Sequence, residues 1–509
     1  MTKKNLAKIY SAELEGIDAK LIEVEVDMNV GLHSFNIVGL ADRALNEAKE
    51  RVNSALKNSG AKPPNRENRR ITVNLAPADV KKAGAQYDLA IALGYLLASH
   101  QMAPFASRDK IFIGELALDG RLRPVNGALN IAQMAARSGF KYLFLPRANA
   151  NEAAAIDAIT VIPIEALIDA VEFLEGKKGI DPVHPEPPPA SKILFPDFDE
   201  VVGQENAKRA LMIAAAGNHN LCMMGPPGVG KSMLARALAG ILPELTLPEA
   251  IEITKIWSAA GLSPGGLMRD RPFRAPHQTS SAVALVGGGG EPRPGEISLA
   301  HRGVLFLDEL PEFPRSTLEA LRQPMESGLV HIARAKQNII FPSRFSLVAA
   351  MNPCPCGYYG DAEKACSCTA YEVIRYQKRV SGPLLDRIDL MIKVGRVKIE
   401  QLRVGGKDDR ASPAIKKKVE AARAVQTDRF ADADITTNAE MTSRMAEMAA
   451  RLEPEAHTLL QSFGKGILSP RGYYRMLKVA RTIADLDAHD RVSSEHLAEA
   501  FSYRLRDEL

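Results

Sequence analysis

Hydrophobic and polar positions follow two different periods over the first 180 residues. Ile22, Val24 and Val26 fall on one side of an extended chain, while Glu23, Glu25 and Asp27 fall on the other. That alternation predicts a half-buried strand. Further strands are predicted at 70–76, 111–116 and 141–145. Helical spacing predicts helices at 42–59, 87–99 and 128–138, the first opening on Asp42 and ending before Gly60. Strands and helices in alternation make residues 1–180 an α/β domain. The run Asp181-Pro-Val-His-Pro-Glu-Pro-Pro-Pro-Ala190 can be neither helix nor central strand, because proline fixes φ and removes donors, so 181–196 reads as a linker. Between 197 and 400 short apolar runs alternate with glycine- and proline-rich loops, the pattern of a parallel α/β sheet. Beyond 400 the period turns helical, with helices expected at 416–429, 439–462, 470–487 and 494–503. Ser469 and Pro470 make an N-cap and first-turn pair for the third of these. The expected fold class is therefore α/β multidomain, with a C-terminal all-helical segment over 401–509 and no internal repeat.

Composition narrows this little. The chain has 509 residues, 46% hydrophobic and 25% charged, which excludes collagen-like, coiled-coil and wholly disordered classes. Lysine plus arginine total 65 against 61 acidic residues, a net +4, so any nucleic-acid surface must be a local patch. The longest apolar run, 89–99, is far short of the about 20 residues that cross a bilayer. The N-terminus lacks the apolar core of a signal peptide. A cytoplasmic protein without membrane contact is the expectation.

Five cysteines are more pointed, since Cys354, Cys356, Cys366 and Cys368 crowd into one loop-like stretch. Four thiolates suffice for a tetrahedral Zn2+, although one-residue spacings are tighter than the usual two to four. The alternative is a reduced loop whose cysteines merely pack. Cys222, in an apolar run, reads as a small buried hydrophobe.

The chemistry is carried by Gly225-Pro226-Pro227-Gly228-Val229-Gly230-Lys231-Ser232, which fits G-x-x-x-x-G-K-[ST]. It follows an apolar strand at 221–224 and enters a helix at 233–239. Glycines let backbone N–H groups approach phosphate, and a helix N-terminus favours the charge. Lys231 is the expected ligand of the β- and γ-phosphates of ATP, and Ser232 of Mg2+. Val304-Leu-Phe-Leu307 is a buried strand ending in Asp308-Glu309. Asp308 is expected to hold the magnesium through water and Glu309 to polarise the attacking water. Alone, such a pair would be only a helix cap.

Taken in order, the P-loop, Asp308-Glu309, Asn352 after a strand, Leu384-Leu-Asp-Arg387 and Ser469-Pro-Arg471 resemble the AAA+ succession. That succession is Walker A, Walker B, sensor 1, arginine finger and sensor 2. The resemblance implies that Asn352 orients the water and Arg387 reaches a neighbouring subunit's γ-phosphate. Arg471 would sense the γ-phosphate from the helical lid. It also implies a homo-oligomeric ring, a hexamer. Otherwise each arginine is a surface ion pair worth under ~1 kcal/mol.

Three longer phrases narrow the resemblance: Phe273-Arg-Ala-Pro-His277-Gln-Thr-Ser-Ser281, Pro292-Arg-Pro-Gly-Glu-Ile-Ser-Leu-Ala-His-Arg-Gly303 and Asn352-Pro-Cys-Pro-Cys-Gly357. With them the chain resembles, over essentially its whole length, the YifB/ComM family of magnesium-chelatase-like ATPases. The family implies a ring-shaped DNA helicase that promotes branch migration when transforming DNA recombines. Its implied partners are single- and double-stranded DNA, branched intermediates and a recombinase. The segment 329–341 is similar to the presensor-1 hairpin, which would bring Arg334 and Lys336 to phosphates; without the resemblance it is a solvated hairpin tip. Residues 1–180 resemble the Lon-protease-like fold of the ribosomal S5 superfamily. No serine stands in Lys81-Lys-Ala-Gly84-Ala-Gln-Tyr-Asp88, and the expected lysine is missing after Gly127, so a serine–lysine dyad is not expected. Arg66, Arg69 and Arg70 form a basic cluster that reads as an exposed loop or a phosphate contact. The competing functions are a chelatase-like metal-insertion motor, a protein-remodelling ATPase and a non-hydrolysing scaffold, the last disfavoured by Glu309.

Overall fold

A computed structural model describes residues 5–39, 43–66, 68–185, 194–289, 292–334, 337–397, 411–463 and 469–504. Two compact units divide the chain. The first comprises residues 1–190, 246–269 and 335–340, and the second comprises 191–245, 270–334 and 341–509.

The first unit is built on a seven-stranded sheet: β1 (Leu6–Glu15), β2 (Asp18–Val30), β3 (Ser34–Val38), β4 (Arg69–Ala76), β5 (Lys110–Phe112), β6 (Tyr142–Pro146) and β7 (Thr160–Ile164). Their spatial order is β3-β4-β2-β1-β5-β6-β7. β1, β2 and β4 pair antiparallel, whereas β5, β6 and β7 are parallel. Ile22, Val24 and Val26 are fully buried, as their alternation requires. The helix Asp88–Ala98 is buried on nearly every side, and Gly94 lets it lie close to the sheet, since a Cβ there would meet Val26 Cγ2 at 2.6 Å. Its buried first residue, Asp88, accepts from Arg51 Nε at 2.6 Å and from Leu116 N at 3.2 Å. Burial pushes the Asp88 carboxyl up to about 6 against the pull of Arg51.

The strand expected at 111–116 is divided. Lys110–Phe112 belongs to the large sheet, while Glu115–Leu116 pairs with Leu122–Arg123. The break falls at Gly114, whose N–H bonds Gln86 O at 2.9 Å. Arg69 as well as Arg70 belongs to β4, so the basic cluster lies partly in a strand; Arg66 and Arg70 are exposed. The helix Leu247–Ala259 also belongs to the first unit, although it follows the P-loop helix in sequence. The buried Glu152 carboxylate accepts from Ser258 Oγ at 2.6 Å and also from Ser263 Oγ, and Gly127 N donates to Ser258 O at 3.1 Å.

The second unit holds a five-stranded parallel sheet of β8 (Leu221–Met224), β9 (Phe273–Arg274), β10 (Val304–Leu307), β11 (Ser346–Met351) and β12 (Leu390–Lys393). The order is β9-β10-β11-β8-β12, so the P-loop strand β8 lies between β11 and β12. β8, β10 and β11 are buried along their whole length, which explains their unbroken apolar sequences. Cys222 is fully buried on β8, and burial pushes its thiol up to about 12. One hydrophobic cluster runs from Phe198 through the sheet to the C-terminal helices Ala411–Arg429, Ser443–Ala450, Pro454–Phe463, Pro470–Leu486 and Ser494–Ser502. The helix expected at 439–462 is therefore two. Arg451 has φ +44°, which ends the first, and Pro454 opens the second, where a missing N–H costs nothing. No helix among the described residues is long and apolar enough to cross a membrane.

Candidate nucleotide-binding site

Parallel strands place ligands beyond their C-terminal ends, and the candidate residues stand there. Gly225 follows β8, and a Cβ on it would meet Val394 O at 2.1 Å, so only glycine fits. Gly228 and Gly230 have φ of +81° and +88°, which turns the loop back over the N-terminus of the helix Lys231–Gly240. Pro226, Pro227 and Val229 complete the loop. Lys231 is 9% exposed, and its ammonium donates to Gly225 O at 2.6 Å, Pro226 O at 2.9 Å and Asn352 Oδ1 at 3.0 Å. Burial holds this amine below the ordinary lysine value, opposed by Asp308 and Glu309. Asn352, one residue past β11, is thus tied to the P-loop lysine.

Ser232 Oγ donates to Asp308 Oδ2 at 2.7 Å. A hydroxyl and a carboxylate brought this close are hard oxygen donors, a pair that suits Mg2+ with phosphate oxygens and waters completing its shell. Glu309 lies next to them in the left-handed region (φ +50°, ψ +47°), its N–H bonded to Asp308 Oδ1 at 3.0 Å. A glutamate there stores backbone strain, a recurrent feature of functional positions.

The four clustered cysteines also converge. Cys354 Sγ lies 3.3 Å from Cys356 Sγ and 3.7 Å from Cys366 Sγ, and Cys356 Sγ lies 3.5 Å from Cys366 Sγ. With Cys368 the four sulfurs lie within 4.8 Å of one another. A zinc bonded to four sulfurs at about 2.3 Å would space them roughly 3.8 Å apart. Backbone N–H groups of Cys356, Cys368 and Tyr359 point at Cys368, Cys366 and Cys354 sulfurs. Against a burial penalty, the amides of Tyr358 and Ser367 draw the Cys356 thiol down to about 5, while the neighbouring sulfurs push the Cys366 and Cys368 thiols up, so the four crowded sulfurs favour a single thiolate among themselves. The loop rests on the P-loop, because a Cβ on Gly357 (φ +86°) would meet Pro227 Cδ at 2.6 Å.

Arg387 and Arg471 meet at one carboxylate that sequence reading missed. Arg387 Nη2 donates to Glu326 Oε2, and Arg471 Nη2 donates to Glu326 Oε1 at 2.8 Å. The Arg387 side chain is only 7% exposed, its Nη1 donates to Pro383 O at 2.8 Å, and its buried Nε has no partner. In this conformation it is folded against its own protomer. One turn beyond Arg471, Arg475 donates to Arg387 O at 2.7 Å and to Asp389 Oδ1 at 2.5 Å. Asp389 is buried and also accepts from Asn220 N at 3.0 Å. Burial alone would raise its carboxyl, yet Arg475 and His219 hold it well below the usual range. No residue spacing signals Glu326 or Asp389, because their partners lie up to 169 positions away.

Arg334 ends the strand Leu329–Arg334, which forms a two-stranded sheet with Gln337–Pro342. Lys336 lies outside the described residues.

Comparison with known proteins places three consecutive matches on the chain. They are "Magnesium chelatase, subunit ChlI" over residues 197–402, "Subunit ChlI of Mg-chelatase" over 24–149, and "Magnesium chelatase, subunit ChlI C-terminal" over 409–504. The competence protein ComM of Haemophilus influenzae is 44% identical, covering 98% of this chain and 97% of its own. YifB of Escherichia coli is 43% identical over 99% of this chain and 98% of its own. The magnesium-chelatase 38 kDa subunit of Rhodobacter capsulatus is 30% identical over 31% of this chain and 51% of its own.

Proposed function

The chain belongs to the YifB/ComM family of magnesium-chelatase-like AAA+ ATPases, and from that premise we propose that it is an ATP-driven DNA motor. Its work is branch migration of recombination intermediates, including those formed by incoming single-stranded DNA. The observation that carries this reading is the 44% identity to a competence protein over nearly the whole chain; the bonds from Lys231 to Asn352 and from Ser232 to Asp308 support it.

In the proposed cycle Lys231 exchanges its carbonyl partners for β- and γ-phosphate oxygens, and the P-loop N–H groups bind the rest of the triphosphate. Ser232 and Asp308 hold Mg2+, which supplies charge neutralisation for the phosphates. Glu309 takes the proton of the attacking water, and Asn352, fixed by Lys231, orients that water. Arg387 and Arg471 read the terminal phosphate, Arg387 from a neighbouring subunit of a homo-oligomeric ring, a hexamer. Cys354, Cys356, Cys366 and Cys368 hold a structural Zn2+, and Arg334 with Lys336 contacts DNA phosphates. The protein acts in the cytoplasm beside a recombinase. The N-terminal α/β segment has a Lon-like fold without a peptidase dyad and serves as a platform.

Steady-state ATPase with and without single-stranded DNA, at two salt concentrations, tests the proposal. Salt-sensitive stimulation supports it, and a branch-migration assay on a four-way junction then completes the test. ATPase indifferent to every DNA form transfers the function to a protein partner. The 30% identity to a magnesium-chelatase subunit makes that the second reading.

A further inference from the structure

Glu326 lies on the short helix Pro324–Ser327, between β10, which ends just before Asp308, and the hairpin strand Leu329–Arg334. Its two carboxylate oxygens are divided between two guanidiniums from distant elements. Arg387 follows the one-turn helix Gly382–Leu385, and Arg471 opens the helix Pro470–Leu486. Nothing in the hydrolytic scheme uses Glu326. Its carboxyl is held below the usual range, first by the hydrogen bond from Arg387, so it remains an anion at neutral pH. An anion that engages both groups assigned to the terminal phosphate is chemically a surrogate for that phosphate.

We propose that Glu326 is a positioning residue that competes with the terminal phosphate of ATP for Arg387 and Arg471. The proposal rests on the roles given above to those two arginines. ATP carries the extra phosphoryl oxygens that can draw guanidiniums off a single carboxylate, whereas ADP lacks them and leaves both arginines on Glu326. The Glu326 and Arg471 side chains are 58% and 39% exposed, so exchanging this partner costs little desolvation. Arg387 is enclosed, and its backbone is fixed by Arg475, so its guanidinium, and not its chain, has to move. Glu326 is also two residues before Gly328, where Ser343 N bonds the carbonyl at 2.8 Å and closes the stem of the hairpin. Release of the arginines is thereby felt at the base of the segment proposed to touch DNA.

The test is calorimetric binding of a non-hydrolysable ATP analogue and of ADP to the full chain, to Glu326→Gln, to Arg471→Ala and to the double variant. Glu326→Gln keeps size and removes charge. It is expected to raise the preference for the ATP analogue over ADP by roughly three- to tenfold, the effect of one partly exposed charge-assisted pair. ADP affinity should stay unchanged. Arg471→Ala should lower the preference, and Glu326→Gln should add less in that background, because one of its two clients is gone. An unchanged preference in Glu326→Gln beside a lowered one in Arg471→Ala overturns the competition and leaves the arginine reading intact. An unchanged preference in Arg471→Ala overturns the phosphate-reading role itself. Loss of ADP binding in Glu326→Gln marks a structural role and also overturns the proposal.

Discussion

Asp308 is bonded to Ser232, whereas Glu309 beside it holds a left-handed backbone conformation. The proposed scheme gives the two adjacent acids different duties. Glu309→Gln should bind ATP normally and lose about 10²–10⁴-fold in kcat, the usual loss on removing a general base. Steady-state rates beside equilibrium nucleotide binding check this, and a normal rate would remove Glu309 from the proton-transfer role. Lys231→Ala should abolish nucleotide binding, since its ammonium is the one that gathers Gly225, Pro226 and Asn352.

Asp389 is a buried acid outside the hydrolytic site, paired with Arg475. Its folded pKa lies below the unfolded value of 3.8, so its stabilisation is complete above about pH 4 and disappears as pH falls below that range. Asp389→Asn leaves Arg475 with an uncompensated charge and should cost about 3 kcal/mol in denaturant unfolding at neutral pH. Between pH 5 and 3 the natural chain should lose more stability than this variant. Parallel acid profiles would show that Asp389 is not the titrating group.

At the scale of elements, the loop between Asn352 and Thr369 joins two chemistries. It begins at the residue bonded to Lys231, gathers four sulfurs, and rests by Gly357 on Pro227 of the P-loop. Elemental analysis should find one zinc per chain. Chelation should lower Tm and weaken nucleotide binding together, because the loop that loses its metal is the one that supports the P-loop. Cys366→Ser should do the same without a chelator. Full-length protein free of zinc yet equally stable would assign the cysteines to simple packing. Arg471 and Arg475 lie a turn apart on the helix Pro470–Leu486, which ties that helix to Glu326 and to the Arg387–Asp389 segment. Hydrophobic spacing predicted this helix. It did not predict the break at Arg451 and Pro454, because apolar positions continue across the break while the backbone does not.

At the scale of the whole molecule, Arg387, enclosed by Glu326 and Pro383, would have to reorient to take the proposed role in a neighbouring subunit. If it acts in trans, mixing Arg387→Ala with Lys231→Ala should restore part of the ATPase that each lacks alone. Mixed rings would pair an intact P-loop with an intact finger, whereas additive inactive rates would place Arg387 in its own site. With a net charge of only +4, DNA stimulation should weaken between low and moderate salt with a slope set by the number of phosphates neutralised in a local contact.

The P-loop, the Asp308-Glu309 pair and the cysteine cluster were legible in the sequence because their chemistry is encoded within a few residues. Gly228 and Gly230 set a turn, Lys231 and Ser232 open a helix, and buried strands appear as unbroken apolar runs. Tertiary structure alone decided which distant groups meet. Asn352 came to Lys231 because β11 lies beside β8 in the sheet, not beside it in the chain. The segment 246–269 joined the first unit through Glu152 and Ser258, whose own neighbours in sequence announce nothing. Arg387 and Arg471 met at Glu326 by folding alone: such pairing depends on distance through space, and a one-dimensional pattern records only distance along the chain.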